Sequence, residues 1–216
     1  MLHKETVEGK TFELLKQLME DHELTKFNLV GGTALSLTMG YRMSIDIDLF
    51  SIEPFEIETL KNHLSLEYGF CAKVAHKSTL LGYIDNVKLD LLQYPYPLVR
   101  ELRVVDGIRM YSLEDIAAMK LTAIADSGTR LKDFIDVACL STYCSLNTML
   151  DAYEFKFPNT ERMRAIRGLS YYEDIQFDVP IIMLTGEWTW DVIAKRLSDM
   201  LEYPSKTFRK MPLTCL

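Results

Sequence analysis

Hydrophobic and polar residues recur with two different periods along the chain, and the change of period near residue 110 separates two parts. Before that point, runs of period two, typical of strands, lie between segments of helical period. The predicted strands are 26–30, 45–50, 70–76, 79–84 and 87–93, and the predicted helices are 5–23, 34–39 and 56–68. Further on, the helical period predominates. The predicted helices there are 113–126, 131–145, 147–156, 159–169 and about 188–202. We therefore predict an α/β core over 1–110 and a helical domain over 111–216.

The composition is that of a folded globular protein. The chain has 216 residues, of which 48% are hydrophobic and 25% charged, so disorder is excluded as its dominant state. It carries 31 acidic and 24 basic side chains, a formal net charge of −7. That excess argues against a protein that coats nucleic acid through its overall charge.

The cysteines and the apolar runs indicate the cellular compartment in which the protein is expected. Cys71, Cys139, Cys144 and Cys215 form no C-x-x-C pair, which argues against a structural zinc site and a disulfide framework. No apolar run reaches the ~18 residues of a membrane span, and the N-terminus lacks the apolar core of a signal peptide. We expect a cytoplasmic protein that does not partner a membrane.

Two aspartates alternate with apolar residues in the second predicted strand. Residues two apart in a strand point to the same side, so Asp46 and Asp48 should project together. Two neighbouring carboxylates repel unless a cation lies between them, and hard oxygen ligands suit Mg²⁺ or Mn²⁺. The alternative is a solvated strand face that is merely acidic.

A glycine pair follows the first predicted strand and precedes a helix. A strand–turn–helix at Gly31-Gly32-Thr33 gathers backbone N–H groups at the positive end of a helix, an arrangement suited to phosphate. The alternative is a simple tight turn. Asp90 is a third candidate, since it lies inside an apolar strand where a carboxylate needs a partner. It could join Asp46 and Asp48 on an adjacent strand, or pair with Lys88 on an edge strand.

These motifs resemble the AbiEii/AbiGii toxin family of nucleotidyltransferases, within the DNA polymerase beta-like superfamily. The matching segments are Leu29-Val30-Gly31-Gly32-Thr33-Ala34-Leu35, Arg42-x-Ser44-x-Asp46-Ile47-Asp48-Leu49-Phe50, 115–121, 132–136, Tyr171-Tyr172-x-Asp174 and 188–197. The resemblance implies an α+β fold, with a nucleotidyltransferase-type mixed sheet flanked by helices and followed by a helical C-terminal half that completes the cleft.

The resemblance also implies the chemistry. The implied reaction transfers a nucleoside monophosphate from a nucleoside triphosphate, with Mg²⁺ or Mn²⁺, to an acceptor hydroxyl, an RNA or tRNA 3′ end being preferred. The implied nucleotide-binding residues are Gly31, Gly32, Thr33, Arg42, Ser44 and Lys120, and the implied metal ligands are Asp46, Asp48 and Asp90. Family members act as toxins of toxin–antitoxin or abortive-infection systems, so a cognate antitoxin is an expected partner.

The helical part contributes its own candidates. Lys120 falls inside the apolar stripe of its predicted helix, where an ammonium needs an anion such as a triphosphate or a carboxylate, or must reach water along its stem. Asp133 and Asp136 share one face of the next helix and could orient Lys120, position a ribose or base, or accept a proton. We count all three as candidate catalytic residues.

Two basic clusters and several aromatic residues could contact RNA. The clusters comprise Arg162, Arg164 and Arg167, and Lys195, Arg196, Lys206, Arg209 and Lys210. Their alternative role is a solubilising surface, and that of Tyr171, Tyr172, Trp188 and Trp190 is packing between helices.

The sequence leaves other functions open besides the nucleotidyltransferase. The acceptor could be a protein or a small molecule. A non-catalytic binding module could keep the fold, and a metal-dependent sugar transferase could use the same D-x-D pattern.

Overall fold

The computed structural model describes residues 1–214, and its contacts divide the chain into two compact units. The first comprises Met1–Pro97 and Glu101–Tyr111; the second comprises Leu98–Arg100 and the residues from Ser112 onwards. The connection therefore passes into the second unit, returns to the first and leaves it again.

The first unit is a mixed sheet with helices. Its strands are β1 (Asn28–Leu29), β2 (Ile47–Ser51), β3 (Cys71–His76), β4 (Thr79–Ile84), β5 (Val87–Gln93), β6 (Arg103–Val105) and β7 (Ile108–Met110). Its helices are α1 (Gly9–Glu20), α2 (Gly31–Met39) and α3 (Ile57–Tyr68). Within the described residues, the strand order is β3-β4-β5-β2-β1-β7-β6. The pairs β2–β5 and β1–β7 are parallel and the others antiparallel, so the predicted mixed sheet is confirmed.

Strand β2 begins two residues later than the period-two pattern indicated. Ile47 and Leu49 are fully buried, whereas Ile45 is 56% exposed. The predicted strand over 45–50 is therefore wrong at its start, because Ile45 precedes the strand and does not follow Ile47 and Leu49 into the core.

The hairpin β6–β7 was not predicted. Its strands have three residues each, too short for a clear period, and they are joined by Asp106 and Gly107 at φ of 53° and 81°. Asp-Gly with positive φ at both positions is a favoured two-residue hairpin turn, so a signal was present in the sequence.

The second unit is helical. Its helices are α4 (Leu113–Asp126), α5 (Leu131–Leu140), α6 (Leu146–Lys156), α7 (Arg162–Leu169) and α8 (Trp190–Glu202). Ser112 caps the N-terminus of α4, because its Oγ accepts a hydrogen bond from the backbone N–H of Asp115 at 3.0 Å. Helix α5 ends at Leu140 rather than at residue 145, because a turn over 141–144 leads into α6, which Ser145 caps at the N–H of Thr148.

A buried ion pair fixes the connecting segment onto the second unit. The Asp115 carboxylate lies 2.7 Å from Lys156 Nζ, and both side chains are fully buried. It also accepts hydrogen bonds from the backbone N–H groups of Val99 at 2.9 Å and Arg100 at 3.2 Å. Burial lowers the pKa of Lys156, and the neighbouring Asp115 opposes that effect only in part. The Asp115 side chain of α4 therefore contacts both Lys156 and the connecting segment at Val99 and Arg100.

The cysteines differ in their surroundings. Cys71 is exposed on β3, Cys139 and Cys144 are buried, and Cys215 lies outside the described residues. Burial raises the pKa of the Cys144 thiol to about 12, which keeps it protonated. Across residues 1–214, no helix is both long and apolar enough to cross a membrane.

Candidate active site

The three predicted acidic residues of the first unit lie at the junction of β2 and β5. The parallel register pairs Asp48 with Asp90, Lys88 lies two residues before Asp90 on β5, and the charges of Asp46 and Asp48 act on the Lys88 ammonium. Paired residues of neighbouring strands lie about 4.8 Å apart and point to the same face. Asp46, Asp48, Lys88 and Asp90 therefore form one patch on the sheet, which we call the carboxylate patch.

Asp90 is held by Lys88. The Lys88 Nζ lies 2.5 Å from Asp90 Oδ2, and the side chains are 39% and 14% exposed. The other oxygen, Asp90 Oδ1, is buried without a hydrogen-bond partner among the described residues. The strand β5 lies inside the sheet, between β4 and β2, so the pairing with Lys88 is real but Asp90 is not on an edge strand.

The glycine turn opens beside Asp48. The backbone N–H of Val30 donates to the Asp48 carbonyl at 2.9 Å, and Gly31 follows with φ of 68°. A Cβ on Gly31 would stand 2.6 Å from Asp48 Oδ2, which only glycine avoids. Helix α2 begins at Gly31, and within residues 1–214 no side chain caps its N-terminus. The turn therefore brings uncapped helix N–H groups next to a carboxylate of the patch, as a metal-bound phosphate would require.

Thr33 and Arg42 support this arrangement from inside the protein. The Thr33 side chain is 1% exposed; its hydroxyl donates to the Asp46 carbonyl and lies 2.8 Å from Ser44 Oγ. The Arg42 side chain is 2% exposed, and its Nη2 would lie 2.6 Å from a Cβ on Gly32. The Thr33 hydroxyl thus fastens the backbone of Asp46 to the first turn of α2.

The patch suits a hard divalent cation in its chemistry. Carboxylate oxygens are the ligands that Mg²⁺ and Mn²⁺ prefer, and Asp90 Oδ1 is a buried acceptor without a donor among the described residues. In residues 1–214, however, no three His, Cys, Asp or Glu side chains converge closely enough to hold a metal ion as they stand. Asp46, Asp48 and Asp90 therefore fit the ion but must draw together around it.

The second unit brings Lys120, Asp133 and Asp136 into contact. The Lys120 Nζ lies 2.6 Å from Asp133 Oδ1 and 2.8 Å from Asp136 Oδ2, and all three side chains are at least nine-tenths buried. Arg130, which is exposed, lies 3.7 Å from the second oxygen of Asp133. The anions that the apolar position of Lys120 requires are thus two carboxylates of α5.

The comparison with protein families decides the assignment. The family model described as nucleotidyl transferase AbiEii toxin, type IV TA system, matches residues 13–88 and 55–204. The chain belongs to the AbiEii family. The matched residues include the glycine turn, the carboxylate patch and the Lys120 cluster, so the resemblance found in the motifs is confirmed over most of the chain.

Proteins similar to this AbiEii-family protein match it over most of its length. The Aquifex aeolicus protein aq_aa25, described only as uncharacterized, is 29% identical over 173 residues, covering 77% of this chain and 84% of its own. The crystal structure of JHP933 from Helicobacter pylori is similar with a TM-score of 0.57 at 20% identity, over 91% of this chain and 90% of that one. A second H. pylori structure has a TM-score of 0.55 at 18% identity, over 91% and 95% of the two chains. These two likenesses support the fold.

The predicted basic clusters are partly neutralised. Arg162 is held by Glu154, and its Nη2 lies 3.0 Å from Asp151 Oδ1. Arg164 lies 2.7 Å from Asp126. In the C-terminal cluster, Arg196 lies 4.2 Å from the centroid of the Phe208 ring, and Lys206 Nζ lies 4.9 Å from the same centroid. The exposed residues Lys206, Arg209 and Lys210 leave positive charge at that end of the second unit.

The aromatic residues are divided between packing and solvent. The rings of Tyr172 and Trp190 meet edge to face at 5.0 Å, and Trp190 also packs on Phe134 and Phe177. For Tyr172 and Trp190, packing between helices is therefore what the structure shows. Tyr171 is 48% exposed.

Sequence reasoning missed Lys88 as a member of the site. It considered Lys88 only as the partner of an edge-strand aspartate. The signal that could have found it is its position two residues before Asp90, on the same side of a strand.

Proposed function

We propose that this protein is a metal-dependent nucleotidyltransferase that moves a nucleoside monophosphate from a nucleoside triphosphate to the 3′ hydroxyl of an RNA such as tRNA. The observation that carries the proposal is the parallel pairing of Asp48 with Asp90 beside the uncapped N-terminus of α2. Carboxylates and helix N–H groups side by side suit a metal-bound triphosphate. Membership of the AbiEii family supports the same reaction.

The residues of the first unit have separate roles in the proposed reaction. The N–H groups of the Gly31–Thr33 turn bind phosphate oxygens, and Asp46, Asp48 and Asp90 would hold the ion. When bound, Mg²⁺ or Mn²⁺ supplies positive charge that stabilises the charge developing on the phosphate oxygens. The acceptor oxygen forms a bond to the α-phosphorus, the bond from that phosphorus to the β-phosphate bridging oxygen breaks, pyrophosphate leaves, and the hydroxyl proton passes to the Asp90 carboxylate.

An RNA acceptor is supported by local charge rather than by the charge of the whole chain. The net charge is −7, but Lys206, Arg209 and Lys210 are exposed at one end of the second unit. Exposed cations close together in the chain can contact the phosphates of a nucleic-acid backbone. The family description adds a toxin role in a type IV system, and with it a cognate antitoxin as partner.

The part of Lys120 in the reaction stays a prediction. Its ammonium is shared by Asp133 and Asp136, so a contact with the triphosphate would require it to exchange one of those carboxylates for phosphate. Asp133 and Asp136 then act as positioning residues for Lys120.

The proposal is tested by label transfer. The purified protein is incubated with Mg²⁺, total RNA and each of the four nucleoside triphosphates, labelled in parallel at the α or the γ phosphate. We expect label in RNA from the α position and none from the γ position, because pyrophosphate leaves with the β and γ phosphates.

Other outcomes would identify other functions. Label in the protein or in a small molecule would replace RNA as the acceptor. Transfer of γ label would indicate a kinase, and the absence of both transfer and nucleotide binding would indicate a binding module that keeps the fold.

The glycine turn yields a first prediction with a matched control. Gly31 and Gly69 both have φ of 68°, but a Cβ on Gly69 would meet nothing within 4 Å. Each substitution by alanine should cost about 1–2 kcal/mol of unfolding free energy for the left-handed backbone. Only Gly31→Ala should also displace the Asp48 carboxylate, and transfer activity should fall at least tenfold, on the order expected for a shift of a catalytic group.

The two variants are compared by thermal unfolding and by label transfer at a temperature where both are folded. Equal activity of Gly31→Ala and Gly69→Ala would contradict the close approach of the turn to the patch.

A further inference from the structure

We propose that Lys88 is an internal counter-cation of the carboxylate patch, and that a divalent ion must displace it from Asp90 in order to bind. This inference rests on the proposed function, since it takes Asp46, Asp48 and Asp90 to be the metal ligands. It assigns Lys88 the task of setting how tightly the patch takes the ion.

The Lys88 ammonium lies where a bound metal ion would contact Asp90. Lys88 Nζ lies 2.5 Å from Asp90 Oδ2, while Asp90 Oδ1 is buried with no hydrogen-bond partner within residues 1–214. Asp90 pairs with Asp48 in the register of β5 and β2, and the charges of Asp48 and Asp46 also act on Lys88. One positive charge thus lies among the three carboxylates of the patch.

The electrostatics of the patch agree with this geometry. Asp90 acts on the Lys88 ammonium through its hydrogen bond and its charge, and Asp48 and Asp46 act on it through their charges. All three carboxylates therefore act on the same ammonium.

The pairing sets what a metal ion must displace. Lys88 holds one of the three carboxylates of the patch by a hydrogen bond. A metal ion that takes Asp90 must break that bond and tolerate a like charge nearby. A side chain that is 39% exposed can swing its head into water when this happens.

The inference is tested by metal binding in the absence of nucleotide. Calorimetric titration with Mn²⁺ is carried out on the wild type, Lys88→Met, Lys88→Arg and Lys10→Met, the last of which removes an exposed lysine of α1. Lys88→Met should bind Mn²⁺ about tenfold more tightly, because removal of a unit charge some 5–6 Å from a divalent ion has about that effect in a solvated site. Lys88→Arg and Lys10→Met should stay close to the wild type.

Thermal unfolding gives an independent measurement. Without metal, Lys88→Met should unfold at a lower temperature than the wild type, because its carboxylates lose a counter-cation. Addition of Mn²⁺ should raise its unfolding temperature by more than it raises that of the wild type, since the tighter site gains more from the same ion concentration.

The outcomes separate this inference from the function on which it rests. If the wild type and Lys88→Met bind Mn²⁺ with equal affinity, or Lys88→Met binds it more weakly, the proposed role of Lys88 is overturned and the metal site is unaffected. An absence of Mn²⁺ binding in every variant would overturn the metal site together with the inference. Binding by Lys88→Met alone would support strong competition by Lys88.

Discussion

Asp48→Asn should reduce nucleotidyl transfer by about 10³-fold, because a metal ion stabilises transition-state charge by several kcal/mol and each 1.4 kcal/mol is a factor of ten in rate. Asp48 pairs with Asp90 across β2 and β5 and faces Gly31 at the start of α2. Asparagine keeps the size of the side chain but loses the charge that a divalent ion requires. The measurement is label transfer from the α phosphate at saturating Mg²⁺.

The matched control for this variant is Asp85→Asn. Asp85 is exposed in the turn between β4 and β5, at φ of 45°, a conformation that asparagine tolerates. Like Asp48→Asn, Asp85→Asn removes one negative charge from the first unit by replacing an aspartate with an asparagine. Full activity of Asp48→Asn, or a comparable loss in Asp85→Asn, would contradict the assignment of Asp48 to the metal.

Asp115→Ala should lower the free energy of unfolding by about 3–5 kcal/mol, the usual effect of removing one partner of a buried ion pair. Lys156 is fully buried and would keep an ammonium without its carboxylate, and the N–H groups of Val99 and Arg100 would lose their acceptor. For a chain of this size, the midpoint of thermal unfolding should fall by roughly 10 °C.

Two further variants separate the charge effect from a general effect of truncation. Asp151→Ala removes an aspartate that is 67% exposed and paired with Arg162, and should cost less than about 1 kcal/mol. In the double variant Asp115→Ala/Lys156→Met, the uncompensated ammonium is absent, so part of the loss should be recovered. A loss below about 1 kcal/mol in Asp115→Ala would contradict the importance of the buried pair.

The local features of the site could be predicted from the sequence because each is encoded within a few residues. The end of β1 before Gly31-Gly32 follows from the breaking of a strand by two glycines, but residues 31–33, predicted as a turn before a helix over 34–39, form the first turn of α2. The N-cap of α4 follows from Ser112 three residues before Asp115. The start of α4 at Leu113 and its end at Asp126 also agree with the predicted 113–126.

The partners of the charged groups could not be predicted, because they depend on contacts between distant segments. An ammonium at Lys120 could equally have met phosphate, carboxylate or water, and the packing of α4 against α5 selects Asp133 and Asp136. The setting of Asp90 likewise depends on strand order, which places β5 inside the sheet. The inward direction of the Thr33 hydroxyl, towards Asp46, depends on how the first turn of α2 packs.

The pairing of β2 with β5 has a consequence for the biosynthesis of the enzyme. The two strands are separated in the chain by α3, β3 and β4, and parallel strands pair only after such a crossover has closed. Pairing between strands so far apart in the chain is slow, because the intervening segment loses conformational entropy before the strand contacts form. During translation, the carboxylate patch therefore cannot form until β5 has left the ribosome.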